Sequence, residues 1–157
     1  MEPTKYPRWP RFNVEIRKSV VKELCDKHLD STDLEPRDGK TFCNLFVCRV
    51  FVDLNYFKFR NRLANEIYDF CQQTKTEWRE VDSKQAIIKA DEDYFVVAAS
   101  RGNPHGHVSI CYPAPPVYSK KWDIFCPVVA SAGSINGVFG SNWVFKTMPT
   151  FFLFLEW

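Results

Sequence analysis

The apolar positions change period partway along the chain, and that change predicts the architecture. In "EIRKSVVKELCDKHL", Ile16, Val20, Leu24 and His28 fall on one stripe at helical spacing, with Val21 and Cys25 beside it and charges on the other face. That pattern is an amphipathic helix of about four turns. "DSTDLEPRDGK" breaks it with Pro36 and Gly39 and reads as a loop. "TFCNLFVCRVFVDL" is apolar nearly all round, which predicts a buried helix, and Thr41 is placed to cap it. "NRLANEIYDFCQQT" predicts a third helix with Leu63, Ile67, Phe70 and Cys71 inward. Ser83 is placed to cap a short fourth helix through Ala90.

After Ala90 the period shortens. "YFVVAAS", "HVSICY", "IFCPVVAS" and "TFFLFLE" are short runs rich in β-branched and aromatic residues, divided by Pro, Gly, Asn and Ser. "YPAPPVYSKKW" reads as a proline-rich loop between two of these strands. Helices first and strands later predict an α+β fold, with N-terminal helices packed on a mainly antiparallel sheet. The 157 residues fit one domain over the whole chain, with residues 1–12 as an N-terminal arm.

Composition narrows the classes. Apolar residues make up 45% of the chain and aromatics 16%, enough for a packed core. A net charge of +2, with no basic run, gives no reason to expect nucleic acid as a partner. No apolar window approaches the roughly 18 residues of a membrane span. The start, "MEPTKYPRWPRF", lacks the apolar stretch of a secretory signal. The expectation is a chain made in the cytoplasm that reaches a target outside it by lysis or a specialised secretion route. Six cysteines lie at 25, 43, 48, 71, 111 and 126 with no C-x-x-C pair, and without an export signal they are expected as free thiols.

Two cysteines and two histidines hold the candidate chemistry. Cys43 falls in the first turn of the buried helix, where unpaired amides and the positive end of the helix dipole favour a thiolate. Cys48 is five residues on, roughly 140° round the helix, and cannot share that role. In "NPHGHVSICYP", His105 sits in a turn between Pro104 and Gly106, whereas His107 opens a strand. A helix-start cysteine with a strand-start histidine is the pattern of a thiol nucleophile and its base. The plainer alternatives are a packed cysteine and a metal pair of His105 and His107, which lacks a third ligand at convincing spacing. His28 lies on an apolar stripe and reads as a packed boundary residue. No cofactor motif is present.

These segments also carry a family resemblance. "TFCNLFVCRVF" resembles the nucleophile helix of the NlpC-type and CHAP-type papain-like cysteine peptidases and amidases, and "GHVSICYP" resembles their histidine strand. The order, cysteine helix and then histidine strand, is also theirs, and the likeness covers roughly Gly39 to Ser131. Two positions depart from it: Phe42 stands where many NlpC-type enzymes have an acid, and Asn44-Leu45 replaces Ser-Gly.

The resemblance implies a papain-like fold and hydrolysis of an amide bond in peptidoglycan, as stem-peptide endopeptidase or amidase. Cys43 maps onto the nucleophile and His107 onto the base. The third, polar residue belongs on the strand after the histidine strand, which gives Ser131, with Asn136 as substitute. His105, Asn44 and Tyr68 are the candidate substrate contacts, although Asn65, Glu66 and Tyr68 read more simply as a solvated helix face. The implied partners are peptidoglycan or a peptide, and a cognate immunity protein if the chain is a toxin. A monomer is expected. Two alternatives stay open: a thiol acyltransferase or transglutaminase-like enzyme with the same pair, and a noncatalytic binding module on the same fold.

Overall fold

A computed structural model describes residues 14–156, with side chains from residue 20 on; the expected N-terminal arm lies outside the described residues. Helix α1 (Val14–Leu29) is the first amphipathic segment, and it buries Val20, Val21, Leu24 and Cys25. His28, near its end, is half-buried with Nε2 2.9 Å from Asp53 Oδ2, a boundary role rather than a metal site. Helix α2 (Cys43–Asp53) follows, and then α3 (Ala64–Gln73) and the shorter α4 (Ser83–Asp91).

Several local expectations change. Helix α2 is not buried all round: Cys43, Phe46, Val47, Val50 and Phe51 form its inner face, while Leu45 is exposed. Its cap residue is Phe42, not Thr41, and no side chain caps it, so Cys43 is the first helical residue. Leu63 is not inward either. It is the cap residue of α3, and its N–H donates to Glu66 Oε1 at 2.8 Å. Asp82 rather than Ser83 caps α4, accepting from the Gln85 N–H at 2.8 Å, because a carboxylate one residue earlier reaches the same orphan amides.

The strands are β1 (Trp78–Val81), β2 (Val96–Ser100), β3 (His107–Ser119), β4 (Ile124–Ala132), β5 (Asn136–Gly140) and β6 (Thr150–Phe154). All pair antiparallel in one sheet, ordered β1-β6-β2-β3-β4-β5. The α+β architecture is therefore as the periodicity predicts: N-terminal helices on a six-stranded antiparallel sheet. The proline-rich segment is strand rather than loop. β3 runs through Pro113, Pro115 and Pro116, and its pairing with β4 shifts register between Tyr112 and Val117. That irregularity is where a strand tolerates residues without an N–H.

The sheet is covered on both faces. Val97, Ala99, Val108, Ile110, Ala130, Ala132, Phe152 and Phe154 pack with α1, α2 and α3. Their alternates, Val96, Ala98, Cys111, Val129, Phe151 and Leu153, pack with Ala86 and Ala90 of α4 and with Phe145. This is the period-2 rule applied across four strands. Phe51 anchors the larger core, with the rings of Tyr56, Phe59, Trp78, Phe95 and Phe154 all between 5.2 and 5.8 Å from it. Among the described residues no helix is long and apolar enough to cross a membrane, and all six cysteines are free.

Candidate active site

Helix α2 aims its first residue at the beginning of β3. The backbone amides of Val108, Asn44 and Cys43 itself lie around the Cys43 thiol and favour its ionised form. These amides pull the thiol toward ionisation, as the helix start leads one to expect, but burial opposes them and is the larger influence, so the thiol titrates above its ordinary value. The resting group is a protonated thiol, not the thiolate that helix position alone suggests.

His107 binds Ser131 instead of the thiol. Its Nε2 is 2.8 Å from Ser131 Oγ on the neighbouring strand β4, and its ring meets Phe145 edge-on at 5.2 Å. The ring covers Gly133, where an added Cβ would stand 3.5 Å from His107 Cε1. Burial pushes the imidazole down to about 4, so it is a neutral base at neutral pH. Alternation along β3 explains the geometry. Val108 belongs to the α2 side of the sheet, and His107 with Ser109 and Cys111 to the other. Cys43 and His107 therefore approach the first peptide of β3 from opposite faces, and among the described residues no hydrogen bond joins them.

Two adjoining cavities record this division. One, of about 520 Å³, is lined by His107, Ser131, Phe145, Trp143, Arg101 and Lys146 among others. The other, of about 450 Å³, holds Cys43 with Asn44, Leu63, Asn65 and Glu66. Thr41, His105 and Gly106 line both, so they form the saddle between the halves. Each volume is in the range of a ligand site. The loop that carries His105 is fixed by Asn65, which receives the Gly102 N–H at 3.1 Å and gives to the Gly102 carbonyl at 2.9 Å. Gly106 lies where a Cβ would run into Asn65 Oδ1 and the Ser100 carbonyl, so a glycine is required by close approach.

The other candidates divide. Asn44 reaches the Arg62 carbonyl at 3.1 Å and lines the Cys43 cavity, and exposed His105 sits on the saddle. Asn65 and Glu66, read from sequence as a solvated face, line the Cys43 cavity as well. Tyr68 lines neither cavity: its hydroxyl is 3.3 Å from Thr150 Oγ1 and its ring packs on Phe152 at 5.5 Å. Asn136 gives Nδ2 to the Leu34 carbonyl at 2.8 Å and ties β5 to the loop before α2, which leaves Ser131 as the partner of His107. Trp143, Phe145 and Lys146 line the His107 cavity without having been singled out in the sequence, since they fall outside any strand or helix pattern. Among the described residues there is no cluster of side chains able to hold a metal ion. No protein-family model matches the chain, and no curated protein matches it.

Proposed function

We propose that the chain is a cysteine amide hydrolase, papain-like in its chemistry, with Cys43 as nucleophile and His107 as base. The observation that carries this reading is the His107–Ser131 bond at the head of β3, the strand whose Val108 amide acts on the Cys43 thiol: Nε2 of the ring is already held. Nδ1 is then the nitrogen left for the thiol. The imidazole takes the thiol proton as the sulfur adds to the amide carbonyl, and the resulting imidazolium gives that proton to the departing amine. Water, deprotonated by the same ring, adds to the thioester. The acid leaves and the thiol is restored. The N–H groups of Cys43, Asn44 and Val108, which favour the ionised sulfur, are the donors offered to the developing oxyanion.

Peptidoglycan as substrate follows from the resemblance of "TFCNLFVCRVF" and "GHVSICYP" to the NlpC-type and CHAP-type segments. At rest the thiol and the imidazole lie on opposite faces of β3, so the reading requires the ring to reach over the saddle at Gly106 in the substrate complex, where catalytic hydrogen bonds commonly tighten. A noncatalytic binding module is the second reading, favoured by the raised thiol and the missing Cys43–His107 bond. Incubation with purified peptidoglycan separates the two. Release of fragments that stops in Cys43→Ala and in His107→Ala, but continues in Cys48→Ala, supports the hydrolase, and mass spectrometry of the fragments names the bond. Undiminished release by Cys43→Ala would end the proposal.

A further inference from the structure

We infer that the cavity beside His107 binds a carboxylate carried by the amine half of the substrate, with Lys146 as its counter-ion. The charge of the two cavities is unequal. The His107 cavity has Arg101 and Lys146 in its wall and no Asp or Glu among the described residues that line it. The Cys43 cavity carries one charge of each sign, Lys40 and Glu66. Arg101 is engaged, giving Nε and Nη2 to Asp69 at 2.8 and 2.7 Å. Lys146 is exposed, and its ammonium makes no ion pair or side-chain hydrogen bond among the described residues. A cation without a partner, on the wall of a concave site, is a ready anion ligand. Thr147 and Ser134 add hydroxyl donors to the same wall, and the exposed indole of Trp143, braced by Phe139 at 4.7 Å, bounds it.

The chemistry fixes which half of the substrate lies there. The leaving amine must be protonated by His107, so it departs from the His107 side, while the acyl half stays with Cys43. That assignment rests on the hydrolase reading; the anion site itself does not. The substrate class is an amide whose amine component bears a free carboxylate near the scissile bond, as an amino acid or peptide terminus does.

The test uses soluble muramyl pentapeptide in two forms, one with free carboxylates and one with every carboxylate amidated. Wild type is expected to cleave the free form with kcat/KM higher by ~10-fold or more, the usual weight of a hydrogen bond to a charged group. Lys146→Gln removes that preference by lowering kcat/KM for the free form to that for the amidated form. Lys146 is exposed, so the fold survives the change. Calorimetric titration of Cys43→Ala shows the same preference in Kd, lost when Lys146→Gln is added. Equal kcat/KM and equal Kd for the two forms would overturn the inference, as would a preference that survives Lys146→Gln or no binding of either form. If wild type cleaves neither form yet the Lys146-dependent binding preference persists, the hydrolase reading fails and the anion site stands.

Discussion

His107 Nε2 and Ser131 Oγ stand 2.8 Å apart, bridging neighbouring strands on the face of the sheet that α2 does not cover. The bond commits one ring nitrogen and leaves Nδ1 for chemistry, which makes Ser131 a positioning residue in the proposed reaction. Ser131→Ala is expected to lower kcat by ~10- to 100-fold with little change in KM, part of the effect of a misaligned general base. Ser131→Thr restores most of the rate because it restores the hydroxyl. Asn136→Ala, which loses only a bond to the Leu34 carbonyl, leaves kcat near wild type and costs ~1 kcal/mol of stability. Steady-state kinetics on peptidoglycan fragments and urea unfolding check both. An Asn136→Ala enzyme slower than Ser131→Ala would exchange the two roles.

Burial holds the Cys43 thiol above its ordinary value, outweighing the backbone amides around it, which favours the protonated form. Its alkylation by iodoacetamide at pH 7 is therefore expected to be slower than that of an ordinary exposed thiol. The rate should climb with pH past the usual thiol value of ~8.5, with no inflection near neutrality. His107→Ala leaves the rate without substrate unchanged, since no bond joins the two groups at rest. Peptide mapping separates Cys43 from half-buried Cys48. A labelling plateau at or below pH 7 would reveal a standing thiolate–imidazolium pair and contradict this account.

How much of this was legible in the sequence depends on which physics each feature obeys. The helices announce themselves by a 3.6-residue period, and β2, β3, β4 and β6 by runs of β-branched and aromatic residues. β1 and β5 escape notice because "WREV" and "NGVFG" are short edge strands whose residues are mostly polar, charged or Gly. The proline segment misleads because a proline normally ends pairing, and only the register shift after Tyr112 accommodates three of them. Cys43 and His107 could be singled out by their places at a helix start and a strand start, and Ser131 through the resemblance, which calls for a polar residue on the next strand. Which face His107 occupies relative to α2 could not, since that depends on which side of the sheet each helix packs. Lys146 and Trp143 were beyond reach for a similar reason: they enter the site from a short helix and loop with no period to read.

Burial of His107 also makes folding pH-dependent. Its folded value lies near 4, below the unfolded imidazole value of about 6.5. The unfolded chain therefore binds the extra proton first. The stability contributed by the neutral buried ring is fully present above pH 6.5 and is lost as pH falls toward 4. Between pH 7 and pH 5 this amounts to at most ~2 kcal/mol, reduced by whatever solvent still reaches the ring. His107→Gln keeps a polar group near Ser131 and removes the titration. The difference in unfolding free energy between wild type and His107→Gln should shrink by up to ~2 kcal/mol from pH 7 to pH 5. A difference that stays constant with pH would mean that the ring is not buried in its neutral form.

Helix α2 can present Cys43 to β3 only if its inner face is locked, and Phe51 is the lock. The ring is fully buried and has five aromatic neighbours within 5.8 Å, drawn from the segment after α2 and from three further parts of the chain. Phe51→Ala removes that ring from a site whose neighbours are too rigid to collapse inward, so a loss of ~3–5 kcal/mol is expected. Phe51→Leu keeps most of the volume but loses the edge-on ring contacts, and ~1–2 kcal/mol follows. Phe57→Ala is the control: that ring is 46% exposed and touches Arg60 rather than the core, so its loss stays within about 0.5 kcal/mol. Because Cys43 is on the same helix, Phe51→Leu should lower kcat more than its stability loss explains at temperatures where the variant is folded. Urea midpoints and kinetics at 20 °C, roughly the temperature of maximum stability, supply both numbers. Full activity in Phe51→Leu would show that the thiol is positioned by its own backbone contacts at Val108 and not by the core beneath α2.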